Sequence, residues 1–190
     1  VYIEGITNIT SEDIGYATEL GYRVKHLGLA IRRNDGIELR THPCLLRNEE
    51  LLASVNGVMN AIQIEGDAVG PTLHYGAGAG SEPTASAAVA DIVDVVRALT
   101  TDPNNRVPHL AFQPQSLSDL PILDIEQIKT PFYLRLDVFD QPGVLADITR
   151  ILGFQSISIE AILQKGTSSR GHTVPIVIIT HDTVEKAMNE

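Results

Sequence analysis

The sequence predicts an α+β fold, in which an antiparallel sheet with helices on one face precedes a ferredoxin-like β-α-β-β-α unit. Two observations predict it. Between residues 22 and 75, runs of alternating apolar and polar residues are joined by short turns, which is typical of strands paired as hairpins. After a proline-rich stretch, the apolar pattern of residues 132–190 follows the order strand, helix, strand, strand, helix.

Two hairpins and two short helical segments are predicted ahead of a long helix. Thr10 and Asp13 are spaced as in a capping box, so the first helix should begin there and end before Gly21. Asn48 is the expected cap of the second, shorter helix. The predicted segments are a strand at 1–6, a helix at 10–20, paired strands at 22–33 and 37–46, a short helix at 48–54, and paired strands at 58–65 and 72–75.

A glycine-rich turn opens the long helix predicted over residues 81–99. Gly76, Gly78 and Gly80 leave the backbone bare enough for a ligand or another segment to approach closely. Ser81 is the expected cap, and the start of the helix would offer N–H groups to an anion such as a phosphate. The alternative is a structural turn whose small residues let the alanines of the helix pack on a sheet. The spacing does not meet the G-x-G-x-x-G fingerprint, so the two interpretations stay open on spacing alone.

A stretch rich in proline separates two predicted domains. The first domain is assigned to residues 1–100, the linker to 101–131, and the second domain to 132–190. The second domain should contain a strand at 132–140, a helix from 144, a strand at 156–164, a polar hairpin at 165–171, a strand at 172–180, and a last helix capped by Asp182 or Thr183. It lacks the fourth strand of a complete ferredoxin-like unit, so we expect the natural protein to be longer at this end. The non-methionine start gives the same expectation at the other end.

The composition excludes several classes of protein. A formal net charge of −10 argues against non-specific nucleic-acid binding, which needs a basic face. No run of 18 apolar residues is present, so no membrane span is expected. Lone Cys44 fits a reducing, cytoplasmic setting and excludes an internal disulfide framework. The spacing of His42, His74 and His172 is not that of metal ligands, so no metal site is expected.

Several motifs resemble known families. Residues 140–166, with the sequence DQPGVLADITRILGFQSISIEAILQKG, are similar to the opening of an ACT domain, a module that binds amino acids and regulates metabolic enzymes. Three upstream segments together resemble the C-terminal two-thirds of bacterial homoserine dehydrogenase. They are EGITNITSEDIGYATELGYRVKHLG, VNGVMNAIQIEGD and YGAGAGSEPTASAAVADIVDVVR. The resemblance covers nearly the whole chain in the order of that family.

The resemblance implies an oxidoreductase that interconverts L-aspartate 4-semialdehyde and L-homoserine with NADP or NAD, in threonine and methionine biosynthesis. The family's catalytic aspartate and lysine lie in a G-x-D-x-x-x-K segment upstream of the EGI stretch, and that segment does not occur here. The glycine fingerprint of its Rossmann domain is also absent. No catalytic residue is therefore assigned, and the chain by itself is expected to be inactive.

The resemblance also assigns two binding sites. In the family, the glycine-rich turn and its helix close over the nucleotide cofactor, which gives the candidates Gly78, Ala79, Gly80, Glu82 and Thr84. In ACT domains the strand-to-helix turn contacts an amino-acid effector, which gives the candidates Asp140, Gly143, Val144 and Leu145, with threonine as the expected effector. The alternative at the second site is that Asp140 only caps the helix and Pro142 opens its first turn.

Three functions remain open for the chain itself: part of an oxidoreductase, a stand-alone ACT regulatory module, and an assembly piece. They do not exclude one another. Apolar residues on strands 22–33 and 58–65 predict a homo-oligomer, a dimer or a tetramer, because a monomer would leave them uncovered. The preference for NADP or NAD cannot be read from these residues.

Overall fold

The computed structural model describes residues 1–102, 112–165 and 173–189, which form the expected α+β fold with antiparallel sheets. Its helices and strands are β1 (Tyr2–Ile3), α1 (Ser11–Glu19), β2 (Tyr22–Arg32), β3 (Ile37–Arg47), β4 (Met59–Gly66), β5 (Gly70–Ala77), α2 (Ser81–Thr100), β6 (Lys129–Thr130), β7 (Tyr133–Phe139), α3 (Val144–Phe154), β8 (Ile159–Gln164), β9 (Thr173–Thr180), β10 (Thr183–Val184) and α4 (Glu185–Asn189). Short 3₁₀ turns occur at Leu51–Ser54, Pro114–Ser116 and Ile125–Gln127.

The chain forms two compact units. The first contains Val1–Arg47 and Leu120–Glu190, and the second contains Asn48–Asp119. These units do not follow the domains predicted at 1–100 and 132–190, and those domain bounds remain a prediction. The N-terminal sheet groups with the C-terminal one because the chain after residue 120 returns to it: the Ile37 N–H donates to Pro121 O at 2.9 Å, and the Leu123 N–H donates to Ile37 O at 3.0 Å.

The N-terminal sheet has the strand order β1-β3-β2, with β1 parallel and β2 antiparallel to β3. The predicted hairpin is confirmed, with Arg32 opposite Ile37 at its tip. A Cβ on Gly36 would lie 2.5 Å from Pro121 O, so only glycine fits where the returning chain crosses the turn. The predicted capping box of α1 is also present, since the Asp13 N–H donates to Thr10 Oγ1 at 3.3 Å.

The C-terminal sheet has the order β7-β9-β8 and is antiparallel throughout. One face of this sheet packs beneath α3 and α4 around Leu152, Ile157, Ile176 and Ile178. Leu134, Leu136 and Val138 of β7 pack against this cluster, as their alternation predicts. The central strand β9 is almost completely buried, because it has a strand on each side and packing on both faces.

The second unit contains the β4–β5 hairpin and α2. The hairpin pairs Met59 with Ala77 and Gly66 with Gly70, which confirms the second predicted hairpin and extends it by two residues at each end of β5. None of the α2 residues 81–100 is buried. Ile92, Val96 and Leu99, which share its apolar face, are 62%, 53% and 76% exposed.

Three predicted helix caps are wrong. The helical turn expected at Asn48 begins at Leu51 without a side-chain cap. Ser81 is the first residue of α2, and Gly80 occupies the cap position. Thr183 lies in β10 opposite Thr130, and Asp182 precedes that strand, so neither caps the last helix, which begins at Glu185. Serine, threonine, asparagine and aspartate also suit turns and strand ends, so a local signal does not fix which residue becomes the cap.

Some predictions fall outside the described residues. They concern Pro103 and Pro108 of the predicted linker, residues 166–171 of the polar hairpin, and His172 at the start of the last strand. From residue 120 onward, the predicted linker is largely extended and is bonded to the first unit, through a bridge between Ile37 and Ile122 and through β6.

Candidate functional site

The glycine-rich turn is tied to the base of its own hairpin. The Gly78 N–H donates to Val58 O at 2.7 Å, just beyond the last paired residues of β4 and β5. A Cβ on Gly78 would overlap the side-chain amide of Asn60, which lies directly against this glycine. A side chain at position 78 would therefore require the Asn60 side chain to move out of the turn. Asn60 could not be identified from the sequence, because no local pattern indicates that its side chain lies against Gly78.

Gly80 has the backbone conformation that most requires glycine. Its φ of 123° and ψ of 148° lie in a region that residues with a side chain rarely adopt. A Cβ there would also lie 3.2 Å from Pro83 Cδ. The Gly80 carbonyl accepts the Thr84 N–H at 3.1 Å, which closes the first turn of α2. The conformation of Gly80 thus sets the direction in which α2 leaves the turn.

The start of α2 presents unpaired backbone donors. No side chain caps it, so the N–H groups of Ser81 and Glu82 have no partner within the helix, and Pro83 has no N–H at all. These donors and the positive end of the helix dipole favour a negatively charged or hydrogen-bond-accepting group. Glu82 is exposed beside them and itself stabilises the helix start. The turn can therefore bind a polar ligand through its backbone.

The two interpretations of this turn differ in what they require of α2. The structural one requires its small residues to pack closely on a sheet, and within the described residues Ala85, Ala87 and Ala88 are all exposed. The helix keeps an apolar face and a small-residue first half, and neither is buried within residues 81–100. The helix therefore carries a surface that is suited to covering by another protein segment.

The candidate effector turn follows β7 directly. Gly143 has a left-handed backbone with φ 98° and occupies the cap position of α3, and no side chain caps the helix. The alternative that Asp140 caps α3 is therefore wrong, and Pro142 precedes the helix rather than opening its first turn. The Val144 N–H, expected to be unpaired within the helix, donates outside it to Gln141 O at 3.4 Å. Asp140 is exposed next to this turn.

Space is available over the effector turn. A Cβ on Gly143 would meet no atom within 4 Å, so a small molecule can approach the backbone here. Leu145 is 36% exposed at the first turn of α3. Asp140, Gly143, Val144 and Leu145 therefore lie together at one accessible turn, and their role in effector binding stays a prediction.

Among the residues that the structure describes, Cys44 and the groups that could ligate a metal are candidates for a further site. Cys44 Sγ lies 3.5 Å from His42 Nδ1, but burial raises the pKa of the Cys44 thiol, so it stays protonated. Within the described residues, no three His, Cys, Asp or Glu side chains converge as metal ligands. No helix among those residues is both long and apolar enough to cross a membrane.

Comparison with known proteins identifies the family. A family model described as homoserine dehydrogenase matches residues 1–93, and one described as ACT domain matches residues 132–190. The homoserine dehydrogenase of Pseudomonas aeruginosa is 56% identical over 189 residues, and that of Neisseria gonorrhoeae is 51% identical over 185 residues. The chain belongs to the homoserine dehydrogenase family. The family resemblance and the ACT domain predicted from the sequence are confirmed.

Solved structures agree with this assignment. A homoserine dehydrogenase from Thiobacillus denitrificans is 60% identical to the chain and superimposes with a TM-score of 0.87 over 98% of it. A Staphylococcus aureus homoserine dehydrogenase at pH 6.0 is 27% identical, with a TM-score of 0.61 over 98% of the chain. The α+β fold is thus shared with members of the family.

The match is complete for this chain but partial for its relatives. It covers 100% of the chain and 44% of the P. aeruginosa protein, and 97% of the chain and 42% of the N. gonorrhoeae protein. The T. denitrificans chain is covered to 42%. The chain therefore corresponds to less than half of a homoserine dehydrogenase, and the share of two-thirds expected from the resemblance is wrong.

Proposed function

We propose that this chain is part of an NADP- or NAD-dependent homoserine dehydrogenase, which interconverts L-aspartate 4-semialdehyde and L-homoserine. The observation that carries the proposal is the glycine-rich turn that enters an uncapped α2. By resemblance, the catalytic aspartate and lysine and the Rossmann domain belong to the part of the enzyme that precedes these residues. The exposed apolar face of α2 fits a role in packing against that nucleotide-binding part.

The candidate cofactor residues would act mainly through their backbone. When bound, the nicotinamide cofactor supplies or accepts the hydride exchanged with the substrate carbon. Gly78, Ala79 and Gly80 permit close approach, which helps to fix the distance to the substrate and to exclude water. The Glu82 carboxylate would repel a phosphate, so a hydroxyl or amide group of the cofactor is its better partner. The Thr84 N–H is already bonded to Gly80 O, which leaves only the hydroxyl of Thr84 for a ligand.

An assay of two proteins tests the enzymatic proposal. The intact enzyme should reduce NADP or NAD in the presence of homoserine, and the purified chain of residues 1–190 should show no turnover, because the G-x-D-x-x-x-K segment is missing from it. The absorbance of the reduced nicotinamide measures both. Turnover by the purified chain would show that the catalytic groups lie within it, and an inactive intact enzyme would overturn the assigned activity.

We further propose that the enzyme is a cytoplasmic homo-oligomer, a dimer or a tetramer. β2 is an edge strand of its sheet, and the β4–β5 hairpin is a sheet of only two strands. Ile62 and Ile64 of β4 are 66% and 51% exposed, and Val58 before it is 59% exposed. A second subunit would cover these residues, which supports assembly through the antiparallel strands.

A second function, regulation by an amino acid, is supported by the open turn before α3. The effector's carboxylate would accept the N–H of Leu145 in the first turn of α3, since the Val144 N–H is already bonded to Gln141 O, and Asp140 would accept its ammonium group. Threonine is the effector that the family resemblance implies. The left-handed Gly143 keeps the approach to these donors clear of side chains.

Substitution of Gly143 tests the effector site. In the intact enzyme, Gly143→Leu and Gly143→Asn should each weaken threonine binding at least tenfold in calorimetry, because either side chain fills the open approach. Only leucine should also lower the melting temperature clearly, since asparagine tolerates a left-handed backbone. Gly153→Ala, a change within α3 at a position with free space, should leave threonine binding unchanged. Unaltered threonine binding by both Gly143 variants would make the turn a purely structural feature.

A further inference from the structure

The C-terminal sheet is covered on both of its faces. Ile176 and Ile178 of β9 face the cluster beneath α3 and α4. Val177 and Ile179 alternate with them and therefore face the opposite side, yet they are only 0% and 4% exposed. The second face of the sheet is thus packed against another part of the same compact unit. Hydrogen bonds join α1 to this sheet through Tyr133 and Arg135 of β7.

A single carboxylate, that of Asp13, joins α1 to this sheet. Its Oδ2 accepts the backbone N–H of Thr10 at 2.8 Å and the Thr10 hydroxyl at 2.6 Å, which holds the start of α1. Its Oδ1 accepts the Tyr133 hydroxyl at 2.9 Å and lies 3.0 Å from Arg135 Nε. Asp13 is only 5% exposed, so each of these bonds forms in a partly desolvated setting. We call Thr10, Asp13, Tyr133 and Arg135 the α1–β7 clasp.

The same sheet is fastened to the N-terminal elements at other points. Arg135 reaches the neighbouring Glu12 of α1 through a second nitrogen at 2.8 Å. On the other edge strand, Glu160 of β8 accepts the Tyr22 hydroxyl at 3.1 Å and an Arg47 nitrogen at 2.7 Å. Glu160 and Glu12 are more exposed than Asp13, so these contacts are worth less than the clasp. The clasp is the most buried of the polar connections.

The clasp and the candidate effector turn lie at opposite ends of one strand. Tyr133 is the first residue of β7, and Phe139, its last residue, is followed directly by Asp140. β7 is paired with β9 along its whole length, from Tyr133 opposite Ile179 to Phe139 opposite Thr173. If a strand held in this way moves as one piece, a shift at the turn displaces the Tyr133 and Arg135 donors relative to Asp13.

We infer that the α1–β7 clasp transmits effector binding from the strand-to-helix turn to α1, and through α1 to the catalytic part of the enzyme. This inference rests on the proposed effector function of the turn. α1 begins six residues after Gly5 of the EGI stretch, which in the resembling family follows the catalytic segment. A change in the hold on Asp13 alters the start of α1 directly, because the same carboxylate completes its capping box.

Coupling between threonine and homoserine in the intact enzyme tests the inference. Calorimetry gives the threonine dissociation constant with and without saturating homoserine, and the ratio of the two measures the coupling between the sites. We expect a ratio of at least about fivefold in the wild type. Tyr133→Phe and Arg135→Met should bring it below about twofold, while the threonine affinity without homoserine changes less than threefold. Arg150→Met removes an exposed arginine that pairs with Asp147 on α3, and it should leave the ratio as in the wild type.

The possible results separate the inference from the effector proposal. If wild-type enzyme does not bind threonine, the effector function fails and the inference fails with it. If threonine binds but the ratio is near one in the wild type, or is unchanged in both clasp variants, the inference is overturned while the effector site stands. Hydrogen exchange of residues 11–19 is a second readout: threonine should change it in the wild type and not in Tyr133→Phe.

Discussion

Replacing Asp13 by asparagine is expected to lower the free energy of unfolding of the chain by about 2 kcal/mol at pH 7, because it removes the more buried of the two carboxylates that pair with Arg135 and leaves only the exposed Glu12. It also weakens the capping box of α1, since an amide cannot accept all four bonds that the carboxylate accepts. Chemical denaturation measures the loss. Asp147→Asn is the matched control: Asp147 forms an exposed ion pair with Arg150, so the change should cost less than about 0.5 kcal/mol.

The effect of Asp13 should depend on pH. Burial by itself would raise the pKa of the Asp13 carboxyl, but the hydrogen bonds from Thr10 and Tyr133 and the charge of Arg135 outweigh it and lower the pKa. The neighbouring Glu12 also pairs with Arg135. Burial and the hydrogen bond to Asp13 raise the pKa of Tyr133, so its phenol stays a neutral donor.

The direction of this dependence follows from proton binding. As the pH falls, the unfolded chain protonates Asp13 near its ordinary pKa of about 4, and the folded chain does so only at lower pH. The stabilisation by the charged form is therefore complete above about pH 5 and is lost progressively as the pH falls through the lower pKa of the folded carboxyl. The difference between wild type and Asp13→Asn should shrink steadily from pH 5 to pH 3. A difference as large at pH 3 as at pH 7 would contradict this account.

One half of the clasp could be predicted from the sequence and the other half could not. Thr10 and Asp13 are three residues apart, so the helix start could be predicted from local spacing, and it is present. Tyr133 lies 120 residues from Asp13, and its partner cannot be read from the sequence. Alternation placed Leu134 and Leu136 on the core side of β7, but it gave no sign that the opposite face, with Tyr133 and Arg135, is also covered.

Some features of the glycine-rich turn could likewise be predicted from the sequence, and others could not. The strand before it, the helix after it and the need for glycine followed from the residues and from the family resemblance. The identity of the helix cap could not be predicted. Ser81 has the side chain of a typical cap, but Gly80 adopts the backbone conformation that ends the turn and occupies the cap position. The contact between Asn60 and Gly78 depends on the register of the hairpin, which pairs Asn60 with Gly76. Local rules do not determine the register closely enough to predict that contact.

Replacing Gly80 by valine is expected to raise the dissociation constant of the nicotinamide cofactor for the intact enzyme at least tenfold. A φ of 123° with a β-branched side chain costs on the order of 1–3 kcal/mol or more, and the added Cβ would crowd Pro83. The turn can relieve this strain only by rotating the backbone of residues 80–82. Such a rotation turns the Ser81 and Glu82 N–H donors away, and each 1.4 kcal/mol of lost binding is a factor of ten.

The melting temperature should fall much less than the affinity, because the strain is confined to the turn and no side chain of α2 is changed. Fluorescence titration with the reduced cofactor gives the dissociation constant, and a thermal scan gives the stability of the same samples. Gly76→Val is the control: Gly76 lies in β5 with free space around it, and valine suits a strand, so its cofactor affinity should stay within about twofold of the wild type.

A Gly80 variant that melts early but binds the cofactor normally would show that this glycine serves only the fold. An equal loss of affinity in the two variants would place the effect in the hairpin rather than in the turn, because Gly76 shares the strand with the turn but not the strained backbone.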